Sequence, residues 1–130
     1  MIDLPVTSLA ALLNGALLLG LTARVIFQRR RDRVVLGDND DRSLTKAIRG
    51  QANAAEQMPM ALILCALAEA QGAPLLPLAI TAALFTLGRY MHGAYFAIHG
   101  LHWRLRFWGM LATLAGQGLL LALTLAVVLE

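Results

Sequence analysis

Four stretches of this sequence carry almost no charge: Leu4 to Ala23, Met58 to Ala68 continuing past Glu69, Ala70 to Gly88, and Phe107 to Leu129. A helix needs about 20 mostly apolar residues to cross about 30 Å of hydrocarbon, so four crossings nearly exhaust a chain of 130 residues. No length is left for a separate soluble domain. Hydrophobic residues make up 58% of the chain and charged ones 15%, far from the balance of a soluble fold. The expectation is an all-α integral membrane protein, a four-transmembrane-helix bundle forming one domain over residues 1–130. Its spans are expected near 4–29, 44–71, 75–99 and 104–129, with a cytoplasmic loop over 30–43.

All eleven Lys and Arg residues fall between Arg24 and Arg49 or between Arg89 and Arg106. The positive-inside tendency places both basic regions in the cytoplasm, and both termini with the link near Ala73-Pro74 on the far side. The formal charge of +3 is therefore topological. No basic surface interleaved with aromatics accompanies it, so nucleic acid is not an expected partner. Asp3 rather than a basic stretch precedes the first apolar block, and that block's arginines follow it, which reads as a retained span and not a signal peptide. The single cysteine, Cys65, lies within an apolar helix, so no internal disulfide forms and a buried structural thiol is expected.

Gln71-Gly72-Ala73-Pro74 reads as a tight hairpin, because Gly accepts a left-handed cap and Pro lacks the donor that an inner helical turn needs. Gly37-Asp38-Asn39-Asp40-Asp41 favours turns and a helix N-cap. It is not a calcium loop, because position twelve from Asp38 is Arg49 where a Glu is required. Trp103 and Trp108 suit a headgroup boundary near Arg104. Ala16/Gly20 and Ala112/Gly116 are small-residue pairs at a spacing that allows close helix approach.

The sharpest feature is Arg49-Gly-Gln51-Ala-Asn53-Ala-Ala-Glu56-Gln57-Met-Pro59, which opens the second apolar helix. At about 100° per residue, Arg49, Asn53 and Glu56 fall within roughly 60° of one another, a stripe about 10 Å long. Charged and amide groups at membrane depth are costly unless paired or facing a wet cavity, which makes them a candidate site. One reading is structural, with Arg49 and Glu56 neutralising charges on neighbouring helices and Asn53 bonding across an interface. The other is a pocket for a small zwitterion, Arg49 holding a carboxylate and Glu56 an amine. Arg89, His92, Phe96 and His99 recur at offsets that put them on one face of the third helix, suggesting a single shared site. His92 and His99 with His102 invite a zinc reading, but no Cys or Asp joins them, and metal is not expected.

These motifs resemble the MAPEG family, the membrane-associated proteins of eicosanoid and glutathione metabolism, and in particular its small bacterial members. The likeness rests on Gly37-Asp38, Arg49-x-x-x-Asn53-x-x-Glu56-x-x-Pro59, Gly88-Arg89-x-x-His92 and Arg106-x-x-Gly109-Met110. It implies a homotrimer in a bacterial inner membrane, with glutathione as co-substrate held between subunits near the cytoplasmic face. By resemblance, Arg49, Asn53 and Glu56 bind its peptide and charged ends, Arg89 and His92 line the same site, and Gln51 corresponds to a polar contact. Arg24 or Arg29 supplies a further basic group from the first helix. Arg106, with Arg104 as the alternative register, would favour the thiolate, the form that reacts. Taken singly, either arginine has a plainer role as an anchor to lipid phosphates. The sequence departs from the family at Gln57, often Tyr, and at Phe96, which aligns with a tyrosine of animal members. The implied activity is a glutathione transferase or peroxidase acting in detoxification on a small apolar electrophile or a lipid hydroperoxide from the bilayer. The alternative is a non-catalytic member of the same fold that binds lipid or thiol. A transporter is disfavoured, since no pair of interrupted helices marks a midplane site.

Overall fold

The computed structural model describes residues 3–129; Met1, Ile2 and Glu130, and with them the two termini whose sidedness was expected, lie outside that range. Four helices follow one another: α1 (Pro5–Asp32), α2 (Arg42–Ala70), α3 (Leu75–Ala97) and α4 (Trp103–Leu129). Among the described residues there is no strand. α1 is 28 residues long, about 42 Å at 1.5 Å per residue, so it runs three residues beyond its expected span and carries Arg29, Arg30 and Arg31 in its last turn. α3 ends two residues before its expected end. Ile98 is extended and Gly100 adopts φ +80, so the chain has left the helix before His99. By length and apolar composition α1 and α4 are each able to cross a membrane, whereas α2 and α3 carry the Arg49-Asn53-Glu56 stripe and Arg89 with His92.

α2 and α3 form the centre. α1 packs on one side of this pair and α4 on the other, and α1 and α4 do not touch each other. Along α3 and α4 the backbones meet at glycines. A Cβ on Gly88 would stand 2.5 Å from the Thr113 nitrogen, one on Gly109 2.5 Å from the His92 nitrogen, and one on Gly116 2.6 Å from the Phe85 nitrogen. Only hydrogen fits there, which lets the two helices approach as small-residue faces do in lipid. The expected pair Ala112/Gly116 is half of this seam, while Gly20 on α1 has nothing within 4 Å.

α1 is held by polar contacts instead. Its N-cap residue Leu4 offers no side-chain acceptor, and the first free N–H groups, of Val6 and Thr7, donate to the Glu69 carboxylate of α2 at 2.9 and 2.8 Å. A helix start lacks acceptors for its leading N–H groups and carries partial positive charge, so a carboxylate from the neighbouring helix satisfies both needs. Further along, the fully buried Asn14 donates from Nδ2 to the Thr86 hydroxyl at 2.9 Å. The Tyr90 hydroxyl donates to the Leu13 carbonyl at 2.8 Å. Cys65 is buried, and the Thr7 hydroxyl donates to its sulfur at 3.3 Å.

Two turns bring the basic ends together. In the hairpin between α2 and α3, Gly72 takes φ +83 and Pro74 caps α3. In the loop between α1 and α2, Asp41 caps α2 by accepting from the Ser43 N–H at 2.7 Å. The Thr45 hydroxyl donates to Asp38 at 2.8 Å, and Arg29 donates to the Gly37 carbonyl at 2.7 Å. The end of α1, the start of α2, the end of α3 and the start of α4 therefore share one pole of the bundle, with the hairpin and the start of α1 at the other.

Candidate functional site

At the basic pole, α4 and the α2–α3 pair enclose an open cleft of about 660 Å³, a size typical of small-molecule sites. α2 contributes Arg49, Ala52, Asn53 and Glu56, α3 contributes His92 and Phe96, and α4 contributes Trp103, Arg106, Phe107, Met110, Leu111 and Leu114. The stripe read from the sequence is thus one wall. Helical spacing keeps its three polar groups together, and Gly50 beside them lets Phe96 pack against the α2 backbone, where a Cβ would stand 2.5 Å from that of Phe96. The facing wall is largely apolar. Phe107, Leu111 and Leu114 are 53%, 47% and 54% exposed, so the chain itself covers only about half of each, and the cleft opens sideways toward the surroundings of the bundle.

The charges in this cleft are not neutralised by one another. Among the described residues the single ion pair is Arg31 with Asp32, far along α1, and Arg49, Glu56 and Arg106 are exposed and have no ion-pair partner. The structural reading, in which Arg49 and Glu56 serve as internal counter-ions, finds no such partners here.

Behind the cleft lies Arg89, fully buried and not part of the lining. This differs from the expectation that Arg89 lines the site. Its Nη2 donates to Asn53 Oδ1 at 2.9 Å and lies 3.4 Å from His92 Nδ1, while Nε and Nη1 are buried without a partner among the described residues. A guanidinium has donors only, so the Asn53 oxygen must face it and the Asn53 NH₂ is left to offer donors elsewhere. For the same reason His92 Nδ1 must be the unprotonated nitrogen, which places the proton of the neutral ring on Nε2. Arg89 thus orients two cleft residues from behind, and both are left presenting donors.

Arg106 lines the cleft and Arg104 does not. Two residues apart on a helix means about 200° apart in direction, so only one of the two can face α2. Gln51 and Arg29 do not line the cleft within one chain, Arg29 being bonded to the Gly37 carbonyl. The three histidines stand apart. His92 is in the cleft, His99 lies 3.5 Å from Arg24 on the other side of the bundle, and His102 accepts the Arg104 N–H at 3.2 Å. His99 leaves the α3 stripe because the helix stops at Ala97.

Sequence reasoning passed over Lys46, and set Tyr95 aside because one position beyond the Phe96 stripe points it about 100° away. The Lys46 ammonium sits 4.1 Å from the Tyr95 ring centre and the Arg106 guanidinium carbon 5.7 Å from the same centre, so the ring bridges two cations and steadies Arg106 through its π face. Tyr95 in turn meets Phe96 edge-on at 5.1 Å. Lys46 is three residues before Arg49 and so shares its helical face, a signal that was available. The apolar wall was not legible, since nothing local distinguishes Phe107, Leu111 and Leu114 from lipid-facing residues.

Fold and cleft together define a small helical membrane protein with a charged, laterally open cleft at one pole of a four-helix bundle. Comparison with known proteins makes this specific. Residues 7–126 match the MAPEG family profile, and the chain belongs to that family. It is similar to the inner membrane protein YecN of Escherichia coli K12, at 35% identity over 108 residues that cover 83% of this chain and 81% of the relative. The protein of the same name from Escherichia coli O6:H1 matches with the same identity and coverage.

Proposed function

We propose that the cleft holds glutathione, or a related anionic thiol, and that the protein is a thiol transferase or peroxidase of a bacterial inner membrane. Its termini would lie on the non-cytoplasmic side and three copies would assemble. The carrying observation is the meeting of unpaired Arg49, Glu56 and Arg106 with a half-exposed apolar wall in one cleft. The polar wall offers a guanidinium to a carboxylate, a carboxylate to an ammonium, and the Asn53 NH₂ to a peptide carbonyl. In a trimer, Arg29 and Gln51 would be available to a neighbouring subunit's cleft.

Arg106 stands where apolar and polar walls meet. A free thiol titrates near pH ~8.5, and an adjacent guanidinium favours the thiolate. With an aryl halide, the sulfur forms the new C–S bond, the carbon–halogen bond breaks to release halide, and the thiol proton passes to solvent. With a lipid hydroperoxide, attack on the terminal oxygen breaks the O–O bond and gives an alcohol and a sulfenic acid. A second thiol then converts the sulfenic acid to a disulfide and water. In both cases the electrophile would arrive along Phe107, Leu111 and Leu114 from the bilayer.

Proteoliposomes supplied with glutathione and a chlorodinitrobenzene test this. Arg106→Ala should lower turnover about 100-fold, the usual cost of removing one group that stabilises developing negative charge, while Arg104→Ala stays near the parent rate. Equal turnover in the parent and Arg106→Ala removes the catalytic reading. Saturable glutathione binding without product would assign the protein to the non-catalytic, ligand-holding alternative.

A further inference from the structure

A second cavity, of about 730 Å³, opens on the opposite side of the α2–α3 pair at the same basic pole. It is lined on α1 by Gly20, Ala23, Arg24, Phe27, Gln28 and Arg31, and closed by Ser43 and His99. Its polar equipment is one-sided. Among the described residues no carboxylate lines it, and two nitrogens on its wall, Arg24 Nε and Gln28 Nε2, are buried without a partner. Gln28 as a whole is only 7% exposed. Arg24 Nη2 meets no acceptor of opposite charge, only His99 Nδ1 at 3.5 Å, and the other nitrogen of that ring is 3.4 Å from the Ser43 hydroxyl. Arg31 is paired with Asp32 at 2.7 Å, so Arg24 is the cation left uncompensated. Orphaned buried donors beside a free guanidinium call for an acceptor-only anion.

The apolar side of the cavity identifies how that anion arrives. Gly20, Ala23 and Phe27 recur at helical spacing beside the polar residues. Phe27 is 69% exposed, and nothing stands within 4 Å of the position a Gly20 Cβ would take. These residues give the cavity an apolar flank along α1, reaching from the donor cluster to Gly20.

We propose that this cavity binds the phosphate of an acidic phospholipid, with Arg24, Gln28 and Ser43 holding the phosphate and one acyl chain lying along Gly20, Ala23 and Phe27. The site is separate from the Arg49 cleft and does not depend on the thiol chemistry assigned there. A headgroup bearing its own cation is disfavoured, because the cavity has no carboxylate to receive it.

Native mass spectrometry of the detergent-solubilised full chain, titrated separately with phosphatidylglycerol and with phosphatidylcholine of the same acyl chains, reads the site directly. The parent should hold one phosphatidylglycerol per chain in preference to phosphatidylcholine. Arg24→Gln should weaken that binding about tenfold, the loss of one charge-assisted bond, while Arg49→Ala leaves it unchanged. Gln28→Leu, which removes an orphaned donor and should fold at least as well, is expected to weaken binding several-fold and decides the matter should Arg24→Gln misfold. Inorganic phosphate should compete only at far higher concentration. Equal retention of the two lipids, binding unaffected by both variants, or inorganic phosphate binding as tightly as the lipid would each overturn the proposal.

Discussion

α1 and α4 flank the same central pair and are joined to it by opposite means. α4 lies against α3 backbone to backbone at Gly88, Gly109 and Gly116, with no space for even a methyl group. α1 is joined through its first-turn N–H groups, which donate to the Glu69 carboxylate of α2, and through a buried amide and a tyrosine hydroxyl. In hydrocarbon there is little hydrophobic drive between helices, so close van der Waals contact and interhelical hydrogen bonds are the two means left. The choice has functional weight. Gly109 is three residues from Arg106, so the close seam fixes where Arg106, Phe107 and Met110 stand against the α2 stripe. The hydrogen-bonded α1 leaves an open, donor-lined cavity on its own side.

The comparison breaks most sharply at the seam. Gly109→Val should cost about 3 kcal/mol or more, since the added atoms meet backbone that cannot yield, and it should displace Arg106. Gly20→Ala on α1, with open space around it, should be neutral or slightly stabilising. Thermal unfolding in detergent reads both, and equal tolerance at the two positions would dissolve the distinction. Next in size is Glu69→Ala, which leaves the Val6 and Thr7 N–H groups without their acceptor. A loss of about 1 kcal/mol is expected, with faster amide exchange confined to the first turns of α1. Exchange spread over α4 as well would contradict the separate attachment of the two helices.

Tyr90→Phe removes only the bond to the Leu13 carbonyl and should cost about 0.6 kcal/mol, the usual value for an interhelical hydrogen bond in a membrane protein. The smallest effect concerns the loop that ties α1 to α2. The Thr45 hydroxyl, and after it the Asp40 N–H, hold the Asp38 carboxyl below the ordinary carboxylate range. A carboxyl depressed in the folded state stabilises it above its unfolded value, about pH 3.9, and that contribution is lost as pH falls through the folded value. Loop protection measured by hydrogen exchange should therefore fade below about pH 4 in the parent and show no such step in Asp38→Asn.

Much of the fold was legible because its signals are local. Charge-free blocks mark helices, Gly72 and Pro74 mark the hairpin, and Asp41 caps α2 as the acidic run suggested. The Arg49-Asn53-Glu56 stripe was legible for the same reason, since three residues on one helix share a face whatever surrounds them. Glu69 shows where this fails. In sequence it is a lone acid inside an apolar run, and only its nearness to a residue 63 positions earlier makes it a cap.

What the sequence alone determined is the set of helices, their punctuation, and which polar groups travel together on one of them, because hydropathy, turn chemistry and helical period act over a few residues. The tertiary structure decided what each group faces. Packing around α3 put Arg89 behind Asn53 rather than in the cleft, turned Arg106 inward and Arg104 out, and sent His99 to the opposite side once the helix ended at Ala97. Those outcomes depend on backbone contacts between residues far apart in the chain, and no local pattern records them.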